Sequence, residues 1–135
     1  MAHRIIFVNG CFDVLHRGHI ELFEYAKSLG EYLIVALDSD ERVKQSKGNQ
    51  RPFNCLKDRK KVVSSIGVVD WVEDFNTNEE LIGLIKQNSP DVMVVGSDWQ
   101  DKKVIGSEFA KEIKFFERID GYSTTEILQN SSNRG

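Results

Sequence analysis

Three short runs constrain the fold more than any other feature of this chain: RIIFV at residues 4–8, YLIVAL at 32–37 and DVMVV at 91–95. Past Arg4 and Asp91, which open two of them, each is continuously apolar and contains β-branched residues, without the alternation of a strand that has one wet face. Each therefore predicts a strand buried on both sides. Between them the spacing turns helical. Residues 19–29 place Ile20, Phe23, Ala26 and Lys27 at helical intervals and stop at Gly30, a C-terminal signal. Residues 56–66 and 79–87 also read as helices, and 68–75 as an extended segment. Beyond Gly96, a short helix is expected at 107–112, a last strand at 114–118 and a hydroxyl-capped helix at 123–129.

Strands that alternate with helices predict a parallel sheet covered on both faces, an α/β, Rossmann-like doubly wound domain. In such sheets, ligands bind beyond the carboxyl ends of the strands. The 135 residues suit one domain spanning 1–135, with 130–135 as a polar, frayed tail. No apolar stretch nears the roughly 20 residues of a membrane helix, and residues 1–10 lack the apolar core of a signal peptide. A cytoplasmic protein without membrane association is expected. Cys11 and Cys55 form no CxxC pair, so both are read as reduced thiols, with Cys11 in a packing role. His3 is read as a surface residue without a role.

The net charge of −3 is unevenly spread. Residues 42–61 hold eight Lys/Arg (Arg42, Lys44, Lys47, Arg51, Lys57, Arg59, Lys60, Lys61) against one acid, Asp58. A cationic patch on an acidic chain suits a small polyanion; a solvated helix face is the plainer alternative. With Phe53 as the only interleaved aromatic, nucleic acid is not an expected partner.

The densest chemistry lies in NGCFDVLHRGHIEL, residues 9–22. It falls where the first strand hands over to the first helix, and helix N-termini favour phosphate through unpaired N–H groups and the positive end of the dipole. His16 and His19 would add imidazole donors, and Gly18 between them admits close backbone approach. A metal site built from His16, His19, Asp13 and Cys11 is a weaker alternative, because HxxH lacks the (i, i+4) spacing and base of a zinc-protease helix. No residue is assigned as a metal ligand. Neither GxGxxG nor GxxxxGK[ST] is present, so phosphates must be held in another way. Asp13 could orient a histidine, bind a metal or cap the turn.

The run GCFDVLHRGH, residues 10–19, resembles the GxFDxxHxGH signature of the cytidylyltransferase-like nucleotidyltransferases, and RIDGYSTT, residues 118–125, resembles their R-x-x-G-x-S-T-T segment. The resemblance extends over about residues 5–128. It implies attack of a phosphate monoester on the α-phosphorus of a nucleoside triphosphate, with release of pyrophosphate and no covalent enzyme intermediate. His16 and His19 would then stabilise the transition state. Lys44 and Lys47 would neutralise the acceptor phosphate and the α-phosphate, and Arg118 with Ser123, Thr124 and Thr125 would hold the β- and γ-phosphates. Gly10, Phe12, Asp13, Gly18, Gly96, Asp98, Trp99 and Gly121 complete the expected nucleotide-binding set. Mg²⁺ bridging the phosphates is the implied cofactor. A sensor that binds nucleotide without turnover is the non-enzymatic alternative.

Residues 47–54 (KGNQRPFN) with VDWV at 69–72 resemble the nucleotidyltransferase domain of ADP-heptose synthases, which adenylylate a heptose 1-phosphate. GSDWQDK at 96–102 is closer to the glycerol-3-phosphate cytidylyltransferases. ATP with a sugar phosphate is the first expectation and CTP with a polyol phosphate the second. The family also implies a homodimer built around Asp58 and Arg59. Residues 44–54, polar and like-charged, are expected to be mobile and to order on ligand binding.

Overall fold

The computed structural model describes residues 3–97 and 102–117. The three apolar runs become β1 (Ile5–Gly10), β2 (Tyr32–Asp38) and β4 (Val92–Gly96), flanked by edge strands β3 (Trp71–Phe75) and β5 (Glu112–Phe116). All pairings are parallel, in the order β3-β2-β1-β4-β5. Four α-helices among the described residues connect them: α1 (Arg17–Ser28), α2 (Asp40–Lys47), α3 (Leu56–Ser64) and α4 (Asn78–Asn88). Among the described residues, no helix is long and apolar enough to cross a membrane.

Strand periodicity divides the core in two. Ile6, Val8, Leu33, Val35, Leu37, Val92 and Val94 face Phe23 and Ala26 of α1 and Val63 of α3. Their neighbours Phe7, Ile34, Ala36 and Met93 face Leu81 and Ile85 of α4. With helices on both faces, no strand position needs to be polar, which is why the runs read as unbroken.

Several local expectations shift. The helix expected at 107–112 is a single 3-10 turn, Ser107–Phe109, because Glu112–Phe116 pairs with β4. Gly106 precedes it at φ 80°, and a Cβ there would stand 2.5 Å from Cδ1 of Ile85, so only glycine lets this turn pack on α4. Pairing of the segment 68–75 begins at Trp71. Helix α2, which the sequence did not suggest, takes in residues 44–47 at the start of the 44–54 segment. Ser39 caps it, its Oγ accepting from Arg42 N–H at 3.1 Å, with Asp40 and Glu41 in the first turn and Lys44 and Lys47 near its end. The final helix expected at 123–129 lies outside the described residues.

Order reverses beside β1: the chain runs outward through β2 and β3, then crosses back through α4 to β4 on the other side. Strand β1 pairs with β2 along its length, from Ile5 opposite Tyr32 to Gly10 opposite Leu37. With β4 it pairs only at Ile6–Val92 and Phe7–Met93. The carboxyl ends of β1 and β4 therefore part at the topological switch point, where open α/β sheets bind ligands.

Candidate active site

The loop leaving β1 turns sharply at Phe12, a non-glycine residue at φ 49°. Its ring folds inward, edge-on to Phe23 at 5.0 Å and to the His19 imidazole at 5.5 Å between centroids. A Cβ on Gly10 would come within 3.0 Å of that ring, so Gly10 makes room for Phe12. Phe12, expected among the nucleotide contacts, is buried and acts as the prop behind His19. The left-handed backbone costs about 1 kcal/mol or more, and the packing of this ring holds it.

Both histidines close the first turn of α1 reciprocally. His16 is the N-cap residue, and its Nδ1 accepts from Gly18 N–H at 3.0 Å. His19 Nδ1 accepts in turn from His16 N–H at 3.2 Å. This is a capping box with imidazoles in place of the usual hydroxyl and carboxylate. In this arrangement the Nδ1 atoms serve as acceptors, which leaves Nε2 as the donor nitrogen of each ring. The ring centroids lie 4.0 Å apart, which places two ring donors side by side. The Gly18 and His16 N–H groups, which the sequence offered to an anion, are engaged by these rings.

Asp13 makes a different set of bonds from any of the three considered. Its buried carboxylate accepts from Phe53 N–H at 2.7 Å, Asn54 N–H at 2.8 Å and Arg51 Nε at 3.3 Å, while its carbonyl accepts from Asn54 Nδ2 at 2.8 Å. It therefore ties the histidine loop to residues 51–54.

Arg59 is the residue the sequence reading placed at a subunit interface. Its side chain is fully enclosed within the protomer. It donates to the carbonyls of Cys11 (3.0 Å), Asp38 (2.7 Å) and Asn54 (3.0 Å) and to Asp40 Oδ1 (2.7 Å). The signal was present in the sequence: Arg59 stands between Leu56 and Val63 on the inward stripe of α3, a position that an unpaired arginine would not occupy.

Much of the cationic run is neutralised internally, through Arg42–Asp38, Arg51–Asp13, Arg59–Asp40 and Lys60–Asp74. Lys44 and Lys47 have no ion pair among the described residues and are exposed. Burial pushes the Cys11 thiol up, while the charges of Lys47 and Arg59 oppose the shift. Burial likewise raises Asp38 against Arg42, Lys47 and Arg59. Lys47 thus acts electrostatically on the carboxyl ends of both β1 and β2. Gly96 ends β4 opposite Phe116. Asp98, Trp99, Arg118, Gly121, Ser123, Thr124 and Thr125 lie outside the described residues. No group of three or more His, Cys, Asp or Glu among the described residues is placed to hold a metal.

A family model described as cytidylyltransferase-like matches residues 7–130. The chain belongs to that family. This cytidylyltransferase-like chain is 45% identical over 124 residues to the bifunctional protein HldE of Campylobacter fetus, and 47% identical over 126 residues to that of Helicobacter pylori strain G27. It spans 27% of the length of each and is covered to 92% and 93%. Among solved structures, a lipopolysaccharide core biosynthesis protein from Thermoplasma volcanium superposes with a TM-score of 0.69 at 22% identity, covering 88% of this chain and all of the other. A pantoate-beta-alanine ligase from Francisella tularensis gives 0.64 at 18% identity, covering 95% of this chain and 65% of the ligase. These neighbours share the fold. The family makes the chain a nucleotidyltransferase.

Proposed function

We propose that the protein joins a phosphorylated sugar to a nucleotide, with ATP as donor and a heptose 1-phosphate-like acceptor. An acceptor phosphate oxygen attacks the α-phosphorus, the bond from that phosphorus to the bridging oxygen of the β-phosphate breaks, and pyrophosphate departs. Such a reaction asks the protein to position two anions and to meet the charge that builds between them. The observation that carries the reading is the imidazole capping box, which sets two imidazole rings side by side on the first turn of α1, beside the divergence of β1 and β4. His16 and His19 donate to triphosphate oxygens, and Lys47 with Lys44 faces the acceptor and α-phosphates. Arg118, Ser123, Thr124 and Thr125 hold the outer phosphates. Asp13 commits three carboxylate acceptor sites to residues 51–54, so Mg²⁺ would be held mainly by substrate oxygens and water and would supply positive charge against the phosphates.

The heptose reading rests on the resemblance of residues 47–54 and 69–72 to ADP-heptose synthases. Cytidylyl transfer to glycerol 3-phosphate is the second reading, favoured by GSDWQDK at 96–102. The two free thiols suit a reducing cytoplasm. A homodimer around Asp58 and Arg59 would use exposed Asp58 and Val62 of α3, the Arg59 side chain being enclosed within the protomer. The test is pyrophosphate release with Mg²⁺, each of ATP, CTP, GTP and UTP, and heptose 1-phosphate or glycerol 3-phosphate. ATP with the heptose phosphate is the expected productive pair. CTP with glycerol 3-phosphate would replace it by the second reading, and nucleotide binding without release for any pair would refute transfer to these acceptors.

A further inference from the structure

Residues 51–54 are held far more firmly than their own packing warrants. Asp13, with its side chain 1% exposed, takes a carboxylate out of water to bond two of their backbone N–H groups and the Arg51 side chain. Burying a charge is unfavourable unless it is paired and hydrogen-bonded, and here Arg51 and the two N–H groups supply that compensation. The segment returns little apolar burial, since Phe53 is 57% exposed and Asn54 is exposed. What the bonds do fix is a pair of side chains, because the Arg51 guanidinium carbon lies 5.1 Å from the centre of the Phe53 ring.

Arg51 is bonded to Asp13 through Nε, and its terminal nitrogens have no hydrogen bond to any described residue. The Arg51 side chain is 14% exposed, and since no buried side-chain nitrogen or oxygen among those residues lacks a partner, that exposure includes its terminal donors. The result is a preformed surface that combines a guanidinium edge with an aromatic ring. A guanidinium matches the paired oxygens of a phosphate monoester, and an aromatic face accepts the C–H side of a carbon skeleton. The anchor lies three residues from His16, so their Cα atoms are within about 11 Å.

We propose that Arg51 and Phe53 form an acceptor shelf, on which the guanidinium binds the phosphate of the phosphorylated sugar or polyol and the Phe53 ring supports its carbon chain. Asp13 acts as the positioning residue that holds this shelf to the histidine loop. The inference rests on the transfer reading for its substrate class.

Calorimetric titration of heptose 1-phosphate and of glycerol 3-phosphate into the full chain, with Mg²⁺ and a non-hydrolysable analogue of ATP or CTP present, tests the shelf without turnover. Phe53→Ala, at an exposed position, and Arg51→Gln should each weaken binding of the preferred acceptor by about tenfold or more. Affinity for the nucleotide analogue should stay within about twofold, and Phe53→Tyr should keep acceptor binding near the wild-type value. Unchanged acceptor affinity in Phe53→Ala, weakening of the nucleotide analogue by the same factor, or no binding of either acceptor to the wild type would overturn the shelf. Acceptor binding lost in the variants without pyrophosphate release by the wild type would refute the transfer reading and leave the shelf standing. Pyrophosphate release with unchanged acceptor affinity would do the reverse.

Discussion

Arg59→Met should cost about 3–4 kcal/mol of folding stability, most of it from three backbone carbonyls. Methionine keeps much of the apolar stem but removes the donors to Cys11 O, Asp38 O and Asn54 O. A buried acceptor left without its partner costs about 1–3 kcal/mol. The lower end applies here, because a carbonyl has a second lone pair and the Asp38 and Asn54 bonds are only partly buried, giving about 3 kcal/mol for the three. Asp40 is 40% exposed and can return to water, so it adds less than about 1 kcal/mol. Replacing a whole buried ion pair by apolar groups is often harmless, but main-chain carbonyls cannot be replaced, so the loss persists. Against a total stability of about 5–15 kcal/mol, this should lower the melting temperature by about 10 °C or more. Urea unfolding followed by circular dichroism checks it: the midpoint should fall with an unchanged m value. A loss below about 1 kcal/mol would mean that water or a neighbouring group satisfies those carbonyls and that the network is not what holds the strand ends together.

His16→Ala or His19→Ala should lower kcat by about 10²-fold or more through loss of a transition-state donor; near-normal turnover by a purified variant would remove that role. Acid should destabilise the fold through Asp91 and Asp70. Bonds from Ile5 N–H and Lys111 hold Asp91 below the usual carboxylate range. Burial of Asp70 acts upward, but bonds from Lys27 and Leu33 N–H outweigh it and the net shift is down. Both groups bind protons more readily unfolded than folded, so their stabilisation is present at neutral pH and erodes as pH falls below about 4. Thermal melts between pH 7 and 3 should show this slope, reduced in Asp91→Asn; an equal slope in that variant would count against the assignment.

The central strands were legible because a strand buried on both faces has one sequence signature, an unbroken apolar run, and chains such as YLIVAL carry it without help from context. The histidine pair was legible for a different reason: its spacing and the intervening glycine are local. What escaped were contacts between distant positions. Nothing within residues 51–54 announces that Asp13, some 40 residues earlier, will bind their N–H groups. Arg59 announced itself only through its place on an apolar stripe, which the charge run around it concealed. Helix α2 was hidden because its one buried residue is Val43; with so little apolar face, its start signal at Ser39 looked like the end of a strand. The short helix at 107–112 failed in the opposite way, since local spacing suggested it and pairing with β4 claimed its last residue.

The division of the core by strand parity also bears on how such a sequence can drift. A change at Ile85 is felt by Phe7, Ile34, Ala36 and Met93, and a change at Phe23 by Ile6, Val8, Val35 and their companions. The sheet stands between the two sets, so a lost methyl on one side cannot be refilled from the other. Compensating substitutions should therefore be inherited in two separate groups, one for odd and one for even positions of β1, although both groups alternate residue by residue along the same strand.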